Sequence, residues 1–344
     1  MNISKDWPYR RLLDPFSIDV PIVAAPMANF AGLDMAVAVV EAGGLGSLPC
    51  AVLSPDQIRE GVVEFRSRVN KPLHCIFFCH EVAPPNPRKD RAWIARLAPY
   101  FAEFGVEAPT LPLPAGRPPF GEADCAALED VRPEIVSFHF GLPPAPLLVR
   151  VKATGCKLMS TATSVREARF LAEHGVDAII AQGAEAGGHR GMFIETDPAA
   201  QIGTFALVRA IGESVPVIAA GGIADGCAIA GIGARRLGRA DRHRLSHLPE
   251  STISPLHRAT LADPERETAI TNVLTGRPAR GVVNRFMREQ GPINEDAPTF
   301  PLARPAIAPL RRCGPKPSRK ARSISRRSGR VRRRSCRRRW ARAS

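Results

Sequence analysis

DAIIAQGAEAGGHRG, residues 177–191, is an apolar run that breaks into a glycine-rich loop. Ala178–Ala181 shows no polar–apolar alternation, which marks a strand buried on both faces and so a parallel sheet. Similar apolar runs occur six more times: PIVAAPM (21–27), LGSLPC (45–50), LHCIFF (73–78), EIVSFHF (134–140), CKLMSTA (156–162) and VPVIAAGG (215–222). Between these runs, 32–42, 55–69, 165–175 and 203–213 carry helical spacing, and Ser54-Pro55 and Thr163-Ser164 suit helix starts. Seven strands with helices between them, in 344 residues that do not divide into halves, predict an α/β fold of the (β/α)8 TIM-barrel type. The Pro-rich stretch 84–119 breaks the rhythm and is expected as an insertion after strand three.

An eighth strand is due near 238–245, where the chain reads GRADRHRLSHLPE (238–250). Putting Arg239, Asp241, Arg242, His243, Arg244 and His247 into a barrel wall would bury charges at several kcal/mol each. The expectation is therefore a disrupted eighth strand, looped out, with strands one and seven unpaired.

The formal net charge is +15, but it is not spread over the chain. Residues 311–344 hold 16 of the 48 Lys and Arg and no acid, and Gly231–His247 holds five Arg. The rest is slightly acidic, which excludes a basic nucleic-acid face on the body. Residues 1–310 are read as the barrel and 311–344 as an Arg-rich tail, disordered and limited to nonspecific polyanion contact. No run of 18 apolar residues and no signal-peptide pattern occurs, so a cytoplasmic enzyme off the membrane is expected. The eight cysteines contain no CxxC pair and are read as thiols, with no disulfide or metal framework.

Barrel chemistry sits at the carboxyl ends of strands. Four ends stand out: Ala25-Pro26-Met27, Ser137–Gly141, Gln182–Gly191 and Ala220–Gly226. Gly221-Gly222 before a helical stretch lets backbone N–H groups approach a phosphate, although a tight turn explains the pair equally well. His189 reads either as a general base or as a histidine bonded to its own loop. His80 and His139 read as structural, and Met27 as a core residue that could touch a planar ring.

Together AAPMANFAG (24–32), EAGGLGSL (41–48), FFCH (77–80), SFHFGLP (137–143), DAIIAQGAEAGGHRG (177–191), PVIAAGGIADG (216–226), SPLHRA (254–259) and TNVLTGRPARGVVNR (271–285) resemble the nitronate monooxygenase family, also called 2-nitropropane dioxygenases. The resemblance implies an FMN-binding barrel that oxidises alkyl nitronates with O2 to a carbonyl compound and nitrite. It implies that His189 is catalytic, that Ala25, Pro26, Met27, Gln182, Gly187 and Gly188 contact the flavin, and that Gly221 and Gly222 form half of its phosphate cradle. Ile76 stands where the family usually has Asn. An FMN-dependent enoyl reductase of the same barrel type is the second enzymatic reading. A relic barrel with a polyanion-binding tail is the non-enzymatic one.

The family continues past AAGGIAD into a strand like GVQIGTAYLIC, whose Gly-Thr completes the phosphate site. Gly238–Pro249 can be encoded by codons that, read one base later, give GVQIGTAYLIC, and Ala321–Arg333 has a similar second reading. Residues 231–249 and 311–344 are therefore read as frameshifted segments that depart from the family. Resequencing the gene from codon 225 onward is expected to find this alternative frame; codons that encode no such peptide in any frame would refute it.

Overall fold

Ser54 starts a helix for a local reason. Its Oγ accepts the Gln57 N–H at 3.2 Å, Gln57 Oε1 accepts the Ser54 N–H at 2.9 Å, and Pro55 holds the first helical φ. Ser164 likewise accepts the Glu167 N–H at 3.2 Å. The helices are α1 (Leu13–Phe16), α2 (Leu33–Glu41), α3 (Pro55–Arg68), α4 (Pro87–Phe104), α5 (Glu122–Val131), α6 (Ala145–Ala153), α7 (Val165–Glu173) and α8 (Thr204–Ile211), and Asn86 caps α4 as Ser54 and Ser164 cap α3 and α7. The structure, a computed structural model, describes residues 10–25, 27–28, 30–212, 215–225, 238–241 and 248–312, with 238–241 described as backbone.

The apolar runs form β1 (Ile22–Ala24), β2 (Gly46–Leu48), β3 (Leu73–Phe78), β4 (Ile135–His139), β5 (Lys157–Ala162) and β6 (Ala178–Gln182). A short β7 (Gly188–His189) lies in the loop after β6, and β8 (Val217–Ala220) and β9 (Gly238–Asp241) follow. The parallel sheet runs β1-β9-β8-β6-β5-β4-β3-β2. It closes on itself, because Val23 bridges Leu45 in parallel, with Leu45 N–H on Ile22 O and Ala24 N–H on Leu45 O, both at 2.8 Å. The expected α/β barrel is the fold, partly disrupted at its eighth strand.

The expectation of unpaired first and seventh apolar strands is corrected. β9 lies between them, with Ile22 opposite Arg239 on one side and Ile218 opposite Gly238 on the other. A ladder is made by backbone groups, so Gly-Arg-Ala-Asp can occupy the place despite lacking an apolar pattern. The segment nevertheless departs from the other seven strands, since Gly-Arg-Ala-Asp carries no apolar run, and the barrel is partly disrupted here. Residues 231–237, 242–247 and 313–344 lie outside the described residues.

Three apolar layers hold the barrel. Ala36, Val62, Phe65 and Val151 pack helices onto Phe77, Val136 and Leu158. Leu12, Leu13 and Phe16 of the N-terminal segment plug the amino end against Val23, Ile135 and Ile218. The insertion after β3 is more than a loop. Trp93, Leu97, Tyr100 and Phe101 on one face of α4 are buried against Val273, Met287 and Ile307, which ties the insertion to the C-terminal region. That region carries β10 (Thr268–Thr271) and β11 (Ala279–Val282), whose antiparallel pair extends to β7 through Ala279 opposite His189.

Inside the barrel one imidazole spans three strands. His74 on β3 places Nδ1 2.7 Å from Ser47 Oγ on β2 and Nε2 2.5 Å from Ser137 Oγ on β4. Full burial lowers its pKa to about 3, so it is neutral near pH 7. A depressed histidine pKa means the unfolded chain takes up this proton first as pH falls. The stability it supports is complete above the unfolded value near 6.5 and is lost on acidification toward about 3. Urea unfolding across that window is expected to show about 1.4 kcal/mol lost per pH unit from this group, absent in His74→Gln. Equal pH slopes in the two proteins would contradict it.

Candidate active site

A cavity of about 720 Å3 opens at the carboxyl ends of the strands. Its wall includes Ala25 after β1, His139 on β4, Gln182 on β6, Gly187 and His189 in the following loop, and Gly221 and Gly222 after β8. These sequence-predicted residues are brought together. Met27 is not on this wall; it is buried beside Met35 and Val39, where it fills the gap between β1 and α2. Gly188 belongs to β7 and sits opposite Arg280. Pro26 lies outside the described residues.

The loop carrying His189 is clamped from both sides. Gln182, 7% exposed, donates from Nε2 to His189 O at 2.9 Å and accepts the Gly191 N–H on Oε1 at 2.8 Å. One amide thus fixes the backbone on both flanks of Arg190. The Arg190 side chain is fully buried, and its guanidinium donates to the carbonyls of Gly183 (3.3 Å), Ala184 (3.3 Å), Ala186 and Gly188 (3.0 Å) and to Gln201 Oε1 (3.3 Å). A charge collecting this many carbonyl dipoles leaves the loop little freedom. Glu185 anchors the far end, accepting the N–H and Oγ1–H of Thr204 on Oε2, both at 2.9 Å.

His189 Nε2 lies 3.0 Å from Thr275 Oγ1, and Thr275 Oγ1 donates to Arg277 O at 3.2 Å. Thr275 has one proton and gives it to that carbonyl, so His189 is the donor to Thr275. Nε2 therefore carries the hydrogen and Nδ1 the lone pair. Rings surround it: Phe300 at 5.3 Å, Phe140 at 6.0 Å and Phe78 at 6.2 Å between centroids, all edge-on. Sequence reasoning missed Thr275, Phe78 and Phe300. The latter two line the cavity with Thr275, but Thr275 and Phe300 come from the C-terminal region, about 90 residues or more from the loop they complete.

The other histidines differ. His139 Nδ1 pairs with Thr161 Oγ1 at 3.0 Å, and His74 forms part of the floor. His80 is 4% exposed, and neither ring nitrogen has a hydrogen-bond partner among the described residues. Burial and the nearby Arg277 charge lower its pKa.

The residues fit a planar cofactor with a phosphate tail. Gly221 and Gly222 have φ of +124° and +69°, a backbone that disfavours side chains. A Cβ on Gly221 would come 2.7 Å from Ala186 N and 2.8 Å from Thr204 Oγ1. Glycine is required for the turn to pack here. Apolar Ile76, Ile180 and Ile218 form the floor with His74, offering flat contact rather than polar capture. Among the described residues no group of three His, Cys, Asp or Glu is arranged for a metal, and no helix is long and apolar enough to cross a membrane.

A parallel (β/α)8 barrel with a glycine turn and a clamped histidine at the carboxyl ends of its strands defines a barrel enzyme with a cofactor-sized site. The nitronate monooxygenase family model matches residues 10–327, and the chain belongs to that family of oxidoreductases. The nitronate monooxygenase of Paraburkholderia phytofirmans is 38% identical over 307 residues, covering 86% of this chain and 82% of the relative. That of Pseudomonas aeruginosa is 37% identical over 319 residues, covering 88% and 83%. A nitroalkane oxidase structure from Streptomyces ansochromogenes superposes with a TM-score of 0.79 at 35% identity, covering 88% of this chain and 86% of its own. FabK from Thermotoga maritima is more distant, with a TM-score of 0.61 at 27% identity, covering 81% and 76%.

Thr275→Val keeps the shape and removes the acceptor that selects the His189 tautomer. Imidazole 15N spectra are expected to show one Nε2–H form in the parent protein and a tautomer mixture in the variant. An unchanged single tautomer would contradict the Thr275 assignment.

Proposed function

We propose that the chain oxidises alkyl nitronates with O2, using FMN in the cavity at the strand ends, to a carbonyl compound and nitrite. The observation that carries this reading is the convergence of His189, Gln182 and Gly221-Gly222 on one wall of that cavity. Gly221 and Gly222 would hold the phosphate, Ala25, Gln182 and Gly187 would border the isoalloxazine, and the floor of Ile76, Ile180 and Ile218 would exclude water. When bound, the flavin supplies the electron acceptance that no side chain can provide.

The chain's own residues bind and orient the substrate. A nitronate is a carbanion equivalent already, so its oxidation needs no strong base. Because Thr275 holds Nε2–H, proton exchange falls to Nδ1 of His189. Protonated, Nδ1–H donates to a nitronate oxygen and offsets its charge. The ring cage of Phe78, Phe140 and Phe300 keeps the imidazole upright and the site apolar. The more remote FabK likeness leaves the enoyl-reductase reading less favoured. As encoded, the chain is proposed to bind FMN weakly, because Gly238–Pro249 replaces the family's Gly-Thr.

Nitrite release from an alkyl nitronate with added FMN tests this reading. His189→Ala is expected to retain the fold and the flavin absorbance but lose about 10²–10⁴-fold in turnover. Undiminished turnover in His189→Ala, or enoyl-thioester reduction by NAD(P)H without nitrite release in the parent, would overturn the reading.

A further inference from the structure

A second cavity, of about 880 Å3, lies on the other side of His80 from the first. It is bounded by the β4–α6 connection, the end of α7, the loop at 192–196 and Arg277. The proposed reaction uses none of its wall beyond Phe140.

Arg277 is the unusual member. Its guanidinium carbon stands 4.1 Å over the centre of the Phe140 ring, and largely buried surroundings lower its pKa. Among the described residues the guanidinium makes one hydrogen bond, to Met192 O, and no carboxylate lies within ion-pair distance. The acids whose charge reaches it are Glu167 and Glu81. Glu167 is committed elsewhere: it accepts the N–H and Oγ1–H of Thr163 and the N–H groups of Phe193, Ile194 and Glu195. Glu81 is exposed. Glu195, on the cavity edge, faces Arg166 at 4.0 Å. A sparsely paired, largely buried guanidinium thus borders a cavity walled by Phe140, Leu142, Leu148 and Phe193. Burying a cation with one neutral acceptor is unfavourable unless a further acceptor completes its fork. His80, buried on the shared wall, borders both cavities.

We propose that this cavity binds an amphipathic carboxylate. Its head group pairs with Arg277, whose planar fork matches a carboxylate through two parallel N–H···O bonds. Its hydrocarbon body lies against Phe140, Phe193, Leu142 and Leu148. The volume suits such a ligand, since ligand cavities run to about 300–1,000 Å3. The site is separate from the nitronate cavity and does not depend on the proposed reaction.

Calorimetric titration of the full chain with sodium octanoate, below its micelle threshold, tests the proposal without flavin or turnover. Saturable one-to-one binding is expected, weakened about 10- to 100-fold in Arg277→Met, the range for a lost charged hydrogen bond, and partly retained in Arg277→Lys. Ala145→Trp, at an exposed position on the cavity wall, blocks the space without touching Arg277 and is expected to abolish binding even if Arg277→Met folds poorly. The neutral 1-octanol is expected to bind more weakly than octanoate. Absence of octanoate binding, equal binding in Ala145→Trp, or displacement of octanoate by FMN would overturn the proposal.

Discussion

The wall of the cavity at the strand ends depends on the side-chain amide of Gln182. At the last position of β6 it grips the chain at His189 O and Gly191 N, so a rigid strand sets the position of a loop that would otherwise follow its glycines. A buried amide making both bonds resists displacement, because breaking either strands a polar group at about 1–3 kcal/mol. Arg190 completes the constraint from within by gathering the loop carbonyls. The glycines give the loop its path, and the amide and guanidinium make that path unique.

The same loop joins two structural layers. β7 pairs with β11, and Thr275 just before that strand sets the His189 tautomer. The insertion carrying α4 packs on the C-terminal region and supplies Gly116, where a Cβ would fall 2.0 Å from Pro301 Cγ. Roof, histidine loop and tautomer partner thus form one mechanical unit above the barrel. Below them, the neutral His74 bridge between Ser47 and Ser137 fixes β2, β3 and β4 at the floor without placing a charge there.

Seven strands were legible because each is buried on both faces and reads as an unbroken apolar run. The eighth was not, because Gly238–Asp241 takes its place through backbone pairing and carries no apolar signal. Residues 93, 97, 100 and 101 on α4 do show helical spacing, but the prolines around them hid it. At the site, residues from strand ends, such as Ala25, Gln182 and Gly221, were readable because barrel geometry collects strand ends. Thr275 and Phe300 were not readable. They reach the cavity only through the packing of the C-terminal region, and neither residue type marks a site by itself. Met27 satisfied the strand-end rule, yet its side chain lies in the core beside α2, a reminder that strand ends alternate in direction.

The central claim is that the cavity bounded by His189, Gln182 and Gly221-Gly222 is the flavin and nitronate site. A crystal structure of the full chain soaked with excess FMN and a non-reactive nitronate analogue measures this most directly. The account predicts the phosphate against Gly221 and Gly222, the isoalloxazine over the Ile180–Ile218 floor, and the analogue within hydrogen-bond distance of His189 Nδ1. Flavin bound elsewhere, or an analogue held away from His189, would contradict it.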